Sequence, residues 1–141
     1  MDIQSVKVNP VKIEQGAWLG EKYGKPIPEM GDLCLHVRGV NNADWKRLQS
    51  SLFAALPRNK RVGGRIEPQD QDEITTKCLV ETGLIGWDNL KNGDEQIAFT
   101  KEASAELLNN PELRALRDAV LWACTMVGEV DAETTKEIAG N

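Results

Sequence analysis

Residues 86–128 read GWDNLKNGDEQIAFTKEASAELLNNPELRALRDAVLWACTMVG, and this stretch decides the fold. It opens on Trp87 beside a turn, where Asn92-Gly93 can supply the positive backbone angles of a tight reversal. After Phe99, Thr100 is placed to accept from the first free N–H groups of a helix that carries Ala103, Leu107 and Leu108 on one side. Asn109-Asn110-Pro111 breaks the chain and restarts it, with Asn110 as N-cap and Pro111 at the first helical position, where no N–H is needed. The second helix lines up Leu113, Leu116, Val120, Cys124 and Val127 at helical spacing, and Gly128 is its expected stop. The remainder of the chain has to pack on that stripe.

Working back toward the N-terminus, Pro68 can start a helix whose buried face is Ile74, Cys78 and Leu79 and which Gly83 closes. Its acidic residues Asp70, Asp72 and Glu73 fall in the first turns, where the positive end of the helix accounts for them without acid–base or metal chemistry. Leu84, Ile85 and Trp87 then lead into the core. Trp45, Leu48, Leu52, Phe53 and Leu56 predict an amphipathic helix over 43–56, capped by Asn41-Asn42 and stopped by Pro57. The loop that follows holds Arg58, Lys60, Arg61 and Arg65 among glycines. It is a basic patch in an acidic chain and a candidate contact for an acidic partner surface or, as the lesser alternative, a nucleic-acid phosphate, though a solvated loop has the same composition. Its glycines do not match a phosphate-binding P-loop.

Residues 32–38 alternate, with Leu33, Leu35 and Val37 on one face and Cys34, His36 and Arg38 on the other, which predicts a strand. Its expected antiparallel partner lies within 11–19. Residues 1–31 read as an extended arm with a short strand at 11–14, because Gly16, Gly20, Gly24, Pro26, Pro28 and Gly31 leave no room for a helix. Trp18 is expected to pin the arm to the body, the alternative being a partly loose arm that docks on a partner; Tyr23 fits either reading. At the other end, Asp131 can cap a last short helix over about 132–139.

The expectation is therefore an α+β chain, mainly α, with four or five short helices and a small N-terminal antiparallel β element. An arm over 1–31 precedes one compact α-rich domain over 32–141. Trp45, Trp87, Phe99 and Trp122 are its structural anchors. A chain of 141 residues is one domain's worth and needs no staples. A net charge of −5 and an isoelectric point near 5.0 argue against general nucleic-acid binding. No apolar run approaches a membrane span, and MDIQSVKVNP has no apolar signal segment, so a cytoplasmic location is expected.

Cys34, Cys78 and Cys124 are odd in number and widely spaced, which predicts neither disulfides nor a zinc pair. The Cys34-x-His36 pair would need further converging ligands to hold a metal. His36, the only histidine, has no evident nucleophile to activate. No constellation points to an enzyme, and no cofactor is expected.

Three features occur together in order. They are His36-Val37-Arg38-Gly39-Val40-Asn41-Asn42-Ala43-Asp44 before a short helix and the basic loop, Leu84-Ile85-Gly86-Trp87-Asp88-Asn89-Leu90, and Ile97-Ala98-Phe99-Thr100-Lys101-Glu102-Ala103 followed by Leu107-Leu108, Pro111 and Leu113-Arg114. Over about residues 32–128 this order resembles the small tail assembly chaperones and related tail accessory proteins of siphovirus-like bacteriophages. The resemblance implies a non-enzymatic protein of the host cytoplasm that binds the tape-measure protein and recruits tail-tube subunits. Such a protein exposes some apolar surface when unoccupied or hides it by self-association. It implies no catalytic residues. A head–tail joining or tail-terminator subunit retained in the particle is the alternative.

Overall fold

The structure, a computed structural model, describes residues 1–129. Five α-helices and two small antiparallel sheets make an α+β fold that is mainly α. The elements run α1 (Pro10–Gln15), β1 (Ala17–Leu19), β2 (Cys34–Val37), α2 (Ala43–Ala55), α3 (Pro68–Cys78), β3 (Leu84–Asp88), β4 (Lys91–Asn92), β5 (Glu95–Gln96), α4 (Lys101–Leu108) and α5 (Arg114–Met126). A π-helical turn, Leu79–Gly83, joins α3 to β3. The terminal helix expected over 132–139, with Asp131 as its cap, lies outside the described residues.

The four helices of the body follow the sequence signals. Asn42 Oδ1 accepts from Trp45 N at 2.8 Å, Thr100 Oγ1 from Ala103 N at 2.9 Å and Asn110 Oδ1 from Glu112 N at 2.9 Å. Each satisfies a backbone donor that a helix start leaves open. Asn42 is fully buried and also donates to the carbonyls of Gly39 and Thr82, so one side chain ties the start of α2 to the end of the π turn. Val120, Cys124 and Val127 of the α5 stripe are buried, and Leu113 and Leu116 are half-buried. The helix stops where Gly128 was expected to end it, at Met126 with Val127 as C-cap, but not by the usual glycine conformation. Gly128 takes no left-handed angle, and its role is proximity: a Cβ there would meet Ile13 Cγ1 at 2.6 Å.

The main sheet has the order β1-β2-β3 with both pairs antiparallel. Its register fixes two faces. The rows Leu19–Leu35–Trp87 and Ala17–Val37–Leu84 face the core, where they meet Trp45, Ile74, Leu79, Val120 and Cys124 from the helices. The row Trp18–His36–Gly86 faces outward. The strand over 32–38 was expected, and its partner within 11–19 is β1. The third strand was not expected: Leu84–Asp88 read only as a run entering the core. The reversal after Trp87 is the β4–β5 hairpin, in which Gly93 takes φ +62° while Asn92 stays out of the left-handed region.

The arm departs most from expectation. Residues 11–14 form part of helix α1, not a strand. Asn9 Oδ1 accepts from Val11 N at 3.1 Å and Lys12 N at 3.3 Å, and Pro10 sits at the first helical position. This is the same Asn-Pro start that opens the α5 region, and Gly16 at φ +87° ends the helix before the breakers that follow. The arm is also fastened to the body. Glu14 caps α2 by accepting from Ala43 N at 3.0 Å, Gly39 N donates to Ile13 O at 2.9 Å, and Asn9 N donates to Gly128 O at 2.7 Å.

Trp18 lies over the outer face of the sheet. Its ring stacks on His36 at 4.8 Å between centroids and on Tyr23 at 5.7 Å, and it reaches within 3.7 Å of where a Gly86 Cβ would stand. An aromatic ring thus fills the space that a strand glycine leaves. Burial under Trp18 pushes the His36 pKa below its ordinary 6.5. A base whose folded pKa is depressed is held neutral by the fold, so the unfolded chain binds more protons as pH falls. Stability is therefore expected to be level above pH 7 and to decline as pH drops through about 6.5. Urea denaturation at pH 7.5 and 5.5 checks this, and His36→Gln is expected to flatten the difference.

Candidate partner-binding surface

The basic loop leaves α2 at Pro57, makes a 3-10 turn over Arg58–Lys60, and turns again through Gly63 and Gly64, both with φ near +70°. Arg58, Lys60, Arg61 and Arg65 are all exposed. They are not equivalent. Lys60 reaches back to α3 and places Nζ 3.3 Å from Asp70 Oδ1, whereas Arg58, Arg61 and Arg65 have no ion-pair partner among the described residues. Three free guanidinium groups therefore crown a loop whose fourth cation is anchored.

The end of α2 and one side of α3 line a groove of about 260 Å³. Leu52, Leu56 and Ile74 give it aliphatic walls, and Asp70 and Glu73 line it from α3 with Lys77. The acidic residues at the start of α3 were expected to answer only the helix's positive end. The structure gives two of them specific partners. Asp70 takes Lys60. Asp72 takes a fork from Arg114 at 2.6 and 2.9 Å and a bond from Arg117 at 3.1 Å, both from α5. The Arg114 hydrogen bonds hold the Asp72 carboxyl below the ordinary carboxylate range against the opposing effect of burial.

Arg117 is the residue that the sequence reading missed. It stands between Leu116 and Val120 of the apolar stripe yet is only 4 % exposed, and it also donates to Thr76 Oγ1 at 3.2 Å. A lone arginine beside an apolar stripe gives no sequence signal of burial, because arginine is almost always at the surface.

Of the four aromatic anchors, Trp45 and Trp87 are buried, while Phe99 and Trp122 are half-buried against the core. Trp122 lines a second groove, between α5 and residues 27–30. Cys34 and His36 stand two residues apart on β2, but no group of three metal-ligating side chains converges among the described residues. Burial pushes the Cys78 thiol up to about 11 and the Cys124 thiol up to about 12, so both are protonated core residues at neutral pH. No helix among the described residues is long and apolar enough to cross a membrane.

A second exposed feature lies on the arm. Ile3, Val6, Val8 and Val11 are 55–68 % exposed, next to the point where Val8 bridges Glu129. No curated protein and no solved structure matches the chain. A family model does: that of the YdaY prophage protein matches residues 40–141, from the start of the α2 segment onward, leaving α1, β1 and β2 outside it. Since that match spans most of the chain, the protein belongs to the YdaY prophage protein family.

Proposed function

We propose that this prophage protein works without catalysis, by contact with other proteins, as a tail assembly chaperone in the host cytoplasm. In this reading it binds the tape-measure protein and recruits tail-tube subunits to it. The prophage family supplies the phage context, and the ordered features over 32–128 that resemble tail assembly chaperones supply the role. The observation that carries a binding role is the apolar arm. Ile3, Val6, Val8 and Val11 expose aliphatic side chains on a segment tied to the body by the Asn9–Gly128 and Gly39–Ile13 hydrogen bonds. Four exposed aliphatic side chains gathered in one short segment are what an interaction surface needs.

The free cations of the loop suit a role in encounter. Charges at an interface rim mainly set the association rate and its salt dependence. Arg58, Arg61 and Arg65 changed together to Ser are expected to leave the melting temperature within about 1 °C, since solvated charges contribute little to stability. The same change is expected to slow association with the tape-measure protein, most at low salt, where screening is weakest. Lys60 is left in place because it holds Asp70. Stopped-flow association rates against ionic strength check this.

Mass spectrometry of induced lysogens separates the chaperone from its alternative. A chaperone is expected in the lysate and absent from purified particles. Stoichiometric recovery in the particle would make it a joining or terminator subunit instead.

A further inference from the structure

The groove between α2 and α3 contains an unfinished ion pair. The Asp70 side chain is nine-tenths buried. Its Oδ1 accepts from Lys60 Nζ at 3.3 Å, while its Oδ2 is buried with no hydrogen-bond partner. An ionised carboxylate has about four acceptor positions, and a buried one is costly unless donors fill them. Lys60 is a distant and incomplete donor. It comes from an exposed loop, keeps 43 % of its side chain in solvent and addresses one oxygen.

The groove around Asp70 is selective. Leu52, Leu56 and Ile74 form aliphatic walls, Glu73 places a second carboxylate one helical turn from Asp70 on α3, and Lys77 of the same helix also lines the groove. A ligand that fits has an aliphatic stem for the walls and a head with several donors for the carboxylates. Two carboxylates at this spacing suit a planar fork with five N–H donors better than a point charge. The volume of about 260 Å³ admits one long side chain and not a large ligand.

We infer that this groove is a binding site for an arginine side chain presented by a partner protein, its guanidinium completing Asp70 and its stem lying on Leu52, Leu56 and Ile74. Lys60 acts as a resident competitor that occupies Asp70 when the groove is empty. The site stands apart from the tail-assembly reading, because its test needs no tail protein.

The test uses the full chain labelled for NMR, with n-butylguanidinium chloride as probe and n-butylurea as its neutral isostere. Butylguanidinium is expected to shift the methyl signals of Leu52, Leu56 and Ile74 and the amides of Asp70 and Glu73 in a saturable way, and butylurea is not. Loss of a charge-assisted contact predicts that Asp70→Asn weakens butylguanidinium about tenfold. Lys60→Met, which removes the competitor, is expected to tighten it. Equal shifts from the two probes, unchanged affinity in Asp70→Asn, or weaker binding in Lys60→Met would each overturn the inference. The probe comparison on the unaltered protein decides the matter even if a variant folds poorly.

Discussion

Trp87→Ala is expected to lower the unfolding free energy by about 3–5 kcal/mol, the usual cost of emptying a tryptophan site in a core. Three losses combine. Trp87 is 8 % exposed on the core face of β3, opposite Leu35 of the central strand. Its ring meets Phe99 edge-on at 4.8 Å. Its indole N–H donates to Ile97 O at 2.7 Å, and so holds the chain returning from the β4–β5 hairpin against the sheet. Truncation leaves a cavity, removes an aromatic pair and deprives Ile97 of its donor. Domains have only about 5–15 kcal/mol in hand, so a large part of the variant is expected to be insoluble or partly unfolded. Urea denaturation followed by circular dichroism measures the loss. Trp87→Phe keeps most of the ring and is expected to cost less than Trp87→Ala. A melting temperature within about 2 °C of the parent for Trp87→Ala would place this side chain outside the core.

Asp72→Ala is the second large effect, about 3 kcal/mol. The loss arises less at Asp72 than at Arg117, a buried guanidinium that the change leaves without its main counter-charge. Removing one partner of a buried ion pair typically costs about 3–5 kcal/mol. The lower end applies because Thr76 and Asp118 still accept from Arg117, and because Asp72 itself is 37 % exposed and partly screened. At this chain length the melting temperature is expected to fall by roughly 10 °C. The pH dependence gives a separate check. Asp72 has a folded pKa depressed below its ordinary 3.8, so its contribution is present above that value and is lost as pH falls below it. Between pH 7.5 and 5.5 the gap between Asp72→Ala and the parent is therefore expected to stay constant, while His36 alone bends both curves.

The helices of the body were legible because their signals are local. Apolar spacing, Asn42, Thr100, Asn110 and the flanking prolines all act within one or two turns. The third strand was not legible. Leu84–Asp88 does not alternate, since a bulge between His36 and Val37 shifts its register and Gly86 contributes no side chain. Only the fold shows that Trp18, sixty-odd residues earlier in sequence, fills the space above that glycine. Helix α1 was missed for a different reason. Its Asn9-Pro10 start opens only six helical residues, and the run of glycines and prolines from Gly16 onward dominates the pattern of the arm.

The candidate surface divides in the same way. The charge of the loop is plain in the sequence. That Lys60 is anchored while Arg58, Arg61 and Arg65 are free depends on how the loop folds back over α3. The Asp72–Arg117 pair joins α3 to α5 across the body, and no spacing rule reaches that far. Buried charges of this kind become visible only when tertiary structure brings the partners together.

The central claim is that this member of the YdaY prophage family acts by binding the tape-measure protein of its own phage. Co-expression of the two chains followed by affinity capture and size-exclusion chromatography tests it most directly. The account predicts that the tape-measure protein is recovered in solution as a complex with this chain, and that removing residues 1–8 with their exposed Ile3, Val6 and Val8 abolishes recovery without unfolding the body. A tape-measure protein that stays insoluble and uncaptured beside a folded, abundant chain would contradict it.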